Sequence, residues 1–319
     1  MDACTIVLDG ILAVCLPLYV FLILVILYHR RTEFQSTFFT LFLSNGIADL
    51  LSALLSSVMW QLFMHGFLPR RLPYKLGSVF FVMSYCAFFA QSFTLMLITI
   101  NRFLSLRRPL ATAEVWPQAA TPWLIGLSWL LALVAGCLYC HRLFDLKVEV
   151  VWLLLPGESR FARQMFVAGQ ANGSTSVEAD ILTKTHYAIS GAYAMASALV
   201  TLMLYGIGYW AFRGAMAELE VVRAPENGGR LRVSRVDLRM TLTGLLMGLS
   251  NVTMGLSELV FLFWNYDGDN YWLVDCVEWS AMTLFTLIGP LSLLLCSASL
   301  RRLAFWSLFR CRGGTRQVA

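Results

Sequence analysis

The most restrictive feature of the chain is the apolar run over residues 77–110, GSVFFVMSYCAFFAQSFTLMLITINRFLSLRRPL. It carries no charge from Gly77 to Leu97, and it ends with Arg102 and a short basic patch. About 20 residues at a rise of about 1.5 Å each cross a hydrocarbon core about 30 Å thick. The run therefore predicts a transmembrane helix. Two interpretations of Arg102 are open: an arginine that reaches the interface and orients the helix, or a functional contact at the helix end.

Composition extends this prediction to the whole chain. Of the 319 residues, 58% are hydrophobic and only 13% are charged, whereas a soluble domain has about 25% charged residues. The net charge of +5 is explained by the Lys and Arg residues that flank membrane helices, so it requires no nucleic-acid partner. The first apolar run begins at about Ile11 with no basic residue before it. It is long enough to span a membrane, and we interpret it as the first helix rather than a signal peptide.

Seven apolar runs are present in all. The predicted transmembrane helices are about residues 8–28, 37–64, 77–106, 122–140, 186–212, 238–264 and 272–296. We therefore predict an all-α, polytopic membrane protein with a seven-transmembrane helix bundle over residues 1–300. In the tail at 301–319, alternating basic and aromatic residues favour an interfacial helix, and Cys311 is a candidate for palmitoylation.

The distribution of basic residues predicts the orientation. With the N-terminus outside and the C-terminus cytoplasmic, the inner segments hold 16 of the 24 Lys and Arg residues and the outer segments hold eight. Excess Lys and Arg marks the cytoplasmic side, which favours this orientation. It also places Asn172, which begins an Asn-Gly-Ser acceptor pattern, outside the cytoplasm, where glycosylation occurs.

Charged residues within the predicted spans are candidates for function, because each costs about 2.5–3.5 kcal/mol on insertion scales. Asp49 lies inside helix two. Either it is a packing group that hydrogen-bonds to a neighbouring helix, or it forms an internal polar site for a cation or water. Glu258 and Glu278 lie in the outer halves of helices six and seven, and we expect them to face a cavity.

A small-molecule site requires a mostly apolar pocket with a few polar anchors. Residues of this kind occur at similar predicted depths on helices three, six and seven. The candidate ligand-pocket residues are Tyr85, Phe88, Phe89, Gln91, Glu258, Glu278, Trp279 and Thr283. Aromatic residues at helix ends also form interfacial belts, so that reading stays open.

On the cytoplasmic side, Arg232, Arg235 and Arg239 share one face if helix six extends inward. This face is a candidate for docking a partner or for contact with the inner leaflet. The chain contains no GxSxG, no phosphate-binding glycine loop and no HExxH. We therefore predict no enzymatic activity, no cofactor and no metal site.

Three short stretches resemble the nematode serpentine chemoreceptors, particularly their class gamma and class V relatives: Pro17-Leu18-Tyr19, the segment 43–49 (LSNGIAD) and the segment 98–103 (ITINRF). The wider pattern is similar to that of G-protein-coupled receptors. It departs from the rhodopsin-like pattern, because Asn101-Arg102-Phe103 stands where Asp-Arg-Tyr is expected. Residues 141–185 contain no cysteine, so the usual loop disulfide of that family cannot form.

This resemblance implies a chemosensory receptor of the plasma membrane that binds a small-molecule ligand and activates a heterotrimeric G protein. It implies that Arg102 inserts toward the G-protein α subunit, with the arginines of helix six beside it. Because Asn101 removes the acidic restraint next to Arg102, we hypothesise that Asp237 pairs with Arg102 in the inactive state. The alternative is a seven-helix channel or transporter.

Overall fold

The structure is a computed structural model that describes residues 3–58, 74–107, 116–145, 148–154, 161–167, 175–222, 235–263 and 271–310. This part contains eight α-helices: α1 (Ala3–Tyr28), α2 (Thr37–Ser52), α3 (Tyr74–Arg107), α4 (Ala120–Asp145), α5 (Thr175–Val222), α6 (Arg235–Phe263), α7 (Tyr271–Cys296) and α8 (Ala298–Arg310). The predicted helical membrane bundle is confirmed. Which side of the membrane each terminus occupies stays a prediction.

Two strands interrupt the helices between α4 and α5. Strand β1 (Val148–Leu154) pairs antiparallel with β2 (Phe161–Val167), with Val148 opposite Val167 and Leu154 opposite Phe161. This ribbon is an addition in the connection between two helices, and the predicted all-α fold class is confirmed. Strand β1 contains three valines and a tryptophan, residues that suit a pleated surface. The ribbon lies against α3 and α5.

The end of α2 is not a regular helical terminus. A π-helix follows at Ala53–Val58, and the backbone N–H of Ala53 contacts the carbonyls of both Asp49 and Leu50. A donor shared between two carbonyls is common at the end of an α-helix, and single π-turns occur frequently near functional sites. The wider turn begins one turn after Asp49.

Six helices in the described part of the chain are long and apolar enough to cross a membrane. Helix α6 is 29 residues long and carries a series of polar residues: Ser250, Asn251, Thr253, Ser257 and Glu258. Large apolar side chains cover the outside of the bundle, including Trp123 and Trp210, each 82% exposed. Exposed apolar surface of this extent is the expected lipid-facing surface of a membrane protein.

Two groups of buried apolar residues fill the inside of the bundle. The inner cluster, near Arg102, includes Tyr19, Phe34, Phe38, Phe39, Phe42, Ile98, Met247 and Leu293. The outer cluster includes Phe88, Phe89, Ala90, Met254, Ala281 and Phe285, with Tyr193 and Phe93 packed against it. Along α3, Gln91 lies between the residues of the outer cluster and those of the inner cluster.

Candidate functional site

Arg102 lies on the last turns of α3 and points into the bundle. Its side chain is 7% exposed, so it does not extend to the interface as a simple orienting arginine would. The guanidinium carbon lies 4.2 Å from the centroid of the Phe38 ring on α2, which is a cation–π contact. The structure thus brings the predicted coupling residue against an aromatic ring that the sequence did not indicate.

Phe38 belongs to an aromatic group at the start of α2. Its ring lies 5.4 Å from Phe39 in an edge-to-face arrangement and 6.1 Å from Phe42. Phe34 extends this group, with its ring 4.6 Å from Phe39. Phe34, Phe38 and Phe42 are essentially inaccessible to solvent. Arg102 therefore rests on a packed aromatic surface that excludes water.

Helix α5 approaches Arg102 from another side. A Cβ added at Gly208 would lie 3.3 Å from Phe103 and 3.4 Å from Leu106, so α5 packs closely on the inner end of α3. Tyr205, one turn before Gly208, is buried. Its hydroxyl occupies the space that a Cβ at Gly244 of α6 would need. The inner halves of α3, α5 and α6 are therefore in tight contact.

The other predicted coupling residues lie at the beginning of α6. Arg235, Asp237 and Arg239 are within the helix, and Arg232 lies outside the described residues. Their roles in coupling and the hypothesised pairing of Asp237 with Arg102 stay predictions. The glycosylation candidate Asn172 and the palmitoylation candidate Cys311 also lie outside the described residues.

Asp49 is the centre of a buried polar group that joins three helices. Tyr19 of α1 donates a short hydrogen bond to Asp49 Oδ2, and Asn45 Nδ2 donates to the same oxygen at 2.9 Å. Gln91 Nε2 of α3 donates to Asp49 Oδ1 at 2.8 Å. These neutral donors are what a packing role requires. Among the described residues, the side-chain oxygens of Asn45 and Gln91 accept no hydrogen bond, so acceptor atoms for an internal cation or water also lie here.

The candidate pocket residues of α3 separate into two places. Gln91 belongs to the Asp49 group, and its side chain is 1% exposed. Phe88 and Phe89 belong to the outer cluster, where Tyr193 of α5 lies 5.0 Å from Phe89 and 6.1 Å from Phe88, ring to ring. Phe88 also lies 6.2 Å from Phe285 of α7. Tyr193, which the sequence places at a similar depth, and Phe285, which the sequence did not indicate, therefore complete the aromatic group.

Glu258 lies near this aromatic group, one helical turn outward from Met254 on α6. Its side chain is buried, and Ser190 Oγ of α5 donates a 2.7 Å hydrogen bond to Glu258 Oε2. Thr283 on α7 is buried, and Trp279 is half-buried. Glu278 lies within α7, but its side chain is outside the described part.

A polar and glycine-rich seam connects α5 and α6 along their length. Asn251 Nδ2 donates a 2.6 Å hydrogen bond to Ser197 Oγ. A Cβ at Gly248 would lie 2.7 Å from Thr201, and one at Gly255 would lie 2.8 Å from Met195. Ser190, Ser197 and Thr201 occur at i, i+7 and i+11, which is a helical spacing that the sequence could have shown.

Comparison with known proteins adds to this geometry. Residues 9–156 match the model of the serpentine-type seven-transmembrane GPCR chemoreceptors of the Srv family. The predicted resemblance is confirmed. This serpentine-chemoreceptor match includes Tyr19, Asp49, Gln91 and Arg102, and it ends after β1. No significant match is found among curated proteins.

Among the described residues, no three His, Cys, Asp or Glu side chains converge as metal ligands would. Cys276, near the start of α7, is disulfide-bonded, whereas Cys86 and Cys137 are free thiols. Disulfides form in oxidising compartments outside the cytoplasm. This bond therefore supports the predicted orientation, in which α7 begins on the outer side.

Proposed function

We propose that the chain is a chemosensory receptor that binds a small-molecule ligand in the outer part of the bundle and activates a heterotrimeric G protein. The observation that carries the proposal is the position of Arg102. The serpentine-chemoreceptor match covers this residue, and its side chain is buried at the inner end of α3 rather than spread at the interface. A buried cation next to the cytoplasmic end is suited to a contact that forms in only one of two conformations.

The ligand site of this proposal is the aromatic group at Tyr193, Phe88 and Phe285 together with Glu258. These residues combine apolar rings with a carboxylate that accepts a hydrogen bond from Ser190. Such a mixture provides apolar contact area and one orienting polar group for a small molecule. Tyr85, Trp279 and Thr283 form the outer edge of the proposed site, and Glu278 stays a candidate member predicted from the sequence.

The α5–α6 seam connects this site with Arg102. Glu258 belongs to the proposed ligand site and bonds to Ser190, and Tyr205 and Gly244 lie on the same two helices near Arg102. A ligand that changes the spacing of Ser190 and Glu258 therefore acts on the helix pair that also packs against the inner end of α3. The ligand shifts the equilibrium only through its different affinities for the two conformations.

The G-protein surface of the proposal consists of Arg102 and the inner beginning of α6, with Arg232, Arg235 and Arg239. The protein acts in the plasma membrane, with Asn172 outside, and it performs no enzymatic step of its own. The acidic partner hypothesised for Arg102 remains Asp237.

The test compares basal nucleotide exchange by purified heterotrimeric G proteins, one for each major α-subunit class, in membranes that display wild type, Arg102→Ala or Arg107→Ala at matched surface levels. Arg107 is an exposed arginine on the same helix and is the control. We expect exchange to be lost in Arg102→Ala and retained in Arg107→Ala. Equal exchange in both variants contradicts the role of Arg102. Ion currents in cells without functional G proteins would instead favour the channel alternative.

A further inference from the structure

We propose that Phe38 is the positioning residue that holds Arg102 in the inactive conformation; this inference rests on the proposed function. The guanidinium stacks on the ring at 4.2 Å, and the ring is completely buried. The contact joins α2 to α3 at the cytoplasmic end of the bundle. The uncharged Phe38 ring restrains the Arg102 side chain at a position where the preceding residue, Asn101, carries no negative charge.

Burial makes this contact strong enough to matter. A cation–π pair is attracted more strongly where water is excluded than at an exposed site. Arg102 is 7% exposed and Phe38 is 0% exposed. Water therefore competes little for the guanidinium while it faces the ring. An arginine that turns toward the cytoplasm regains hydration but loses the ring, so the contact favours one orientation.

Phe38 is held in place independently of Arg102. Its neighbours Phe39 and Phe42 pack against it within 5.4 and 6.1 Å. Backbone hydrogen bonds from the N–H groups of Phe39 and Thr40 to the Ser36 carbonyl start α2 just before the ring. The ring is therefore a fixed surface against which the guanidinium of Arg102 rests. A fixed ring is what a restraint on a switching residue requires.

The consequence for signalling is a population shift. If the contact exists only in the inactive conformation, then weakening it destabilises that conformation. The equilibrium constant between the inactive and the active conformation then shifts toward the active one by the corresponding factor. A loss of about 1.4 kcal/mol corresponds to about tenfold. Phe38 would thus set the basal activity of the receptor without touching either the ligand or the G protein.

The test replaces Phe38 with mono-, di- and trifluorophenylalanine by nonsense suppression in the full chain. Fluorine withdraws electron density from the ring face and changes its size little, so it weakens cation–π attraction stepwise. The same series at Phe42 is the control, because that buried ring lies one turn further along α2, about 6 Å away along the helix axis. Basal nucleotide exchange and the midpoint of thermal unfolding are measured for each variant.

We expect basal exchange to rise with each fluorine at position 38, reaching about tenfold, and to change less than about twofold at position 42. The midpoint should fall with each fluorine at position 38 and lose that dependence in an Arg102→Ala background. A flat response at position 38, or equal responses at both positions, overturns the proposal. The proposal is also overturned if the wild type promotes exchange and the thermal midpoint follows the number of fluorines at position 38, but basal exchange does not change along that series.

The two hypotheses fail in different ways. If no variant, wild type included, promotes exchange, but the midpoint still follows the fluorine series only when Arg102 is present, then the contact exists and the proposed receptor function is wrong. If wild type promotes exchange and Arg102→Ala abolishes it, but the fluorine series is flat in both measurements, then the function stands and Phe38 does not hold Arg102.

Discussion

The hydroxyl of Tyr205 lies in the space that a side chain at Gly244 would occupy. A Cβ built on Gly244 would be 1.7 Å from Tyr205 Oη and 2.5 Å from Cζ. Tyr205 is buried, so its ring has little room to move away. The absence of a side chain at position 244 is therefore what lets α6 approach α5 next to Arg102.

Gly244→Ala should separate these helices. Inserting a methyl group into a packed core costs about 1–3 kcal/mol, which exceeds the gain of about 1 kcal/mol that alanine brings over glycine in a helix. We expect a lower midpoint of thermal unfolding and higher basal exchange. Gly206→Ala is the control, because nothing lies within 4 Å of a Cβ at Gly206. If the Gly244→Ala and Gly206→Ala proteins had the same thermal midpoint and the same basal exchange, α5 and α6 would not be tightly packed at Gly244.

Ser190→Ala should weaken the outer end of the same helix pair. The substitution removes the 2.7 Å hydrogen bond to buried Glu258, and hydrogen bonds to charged groups contribute about 1.5–3 kcal/mol. Chemical denaturation of the purified protein measures the loss. Thr253→Ala is the comparison, because its hydroxyl is exposed and bonds only weakly, at 3.3 Å, to the Leu249 carbonyl of its own helix. In a Glu258→Gln background the effect of Ser190→Ala should shrink, and an unchanged effect would exclude direct coupling.

Tyr19→Phe tests the Asp49 group. The change removes one of three donors to a buried carboxylate, and we expect a loss of about 1.5–3 kcal/mol of unfolding free energy. Tyr209→Phe removes a hydroxyl from an exposed tyrosine on α5 and should be almost neutral. If Asp49 also binds a cation, replacing sodium by choline lowers the midpoint of wild type but not that of Asp49→Asn. If the group only packs helices, the midpoint of wild type does not depend on the cation.

Non-reducing peptide mapping tests the disulfide. Alkylation of the denatured, unreduced protein should label Cys137, which is a free thiol, and leave Cys276 in a disulfide-linked peptide. Cys276→Ser should lower the thermal midpoint, whereas Cys137→Ser should not, because losing a native disulfide typically costs about 2–5 kcal/mol. Recovery of Cys276 as an alkylated single peptide would contradict the structure and remove this support for the orientation.

The positions of the helices could be predicted from the sequence, but their rotations could not. Long apolar runs determine where α1, α2 and α3 lie, and the charge of Asp49 within such a run marks it as important. Its partners Tyr19 and Gln91 lie 30 and 42 residues away along the chain. Which face of each helix meets Asp49 depends on packing among all of them, and no local pattern records it.

The same limit explains why Phe38 was not predicted as a partner of Arg102. Phe38 is one of several phenylalanines at the start of α2, and the sequence treats them alike. A search for partners by charge leads to Asp237, because opposite charge is a visible signal and an aromatic face is not. The β1–β2 ribbon escaped prediction for a related reason, since its two short strands become recognisable only once they are paired.

The Asp49 group forms a polar layer in the interior of the bundle, between the outer cluster and the inner cluster. Hydrogen bonds from Tyr19, Asn45 and Gln91 to Asp49 join α1, α2 and α3 at that level. Under the proposed function, substitutions around Tyr193 and Phe88 would change ligand preference, and the polar layer would separate them from the contacts of Arg102. The outer part of the protein would then be free to diversify while the inner part is conserved for one task.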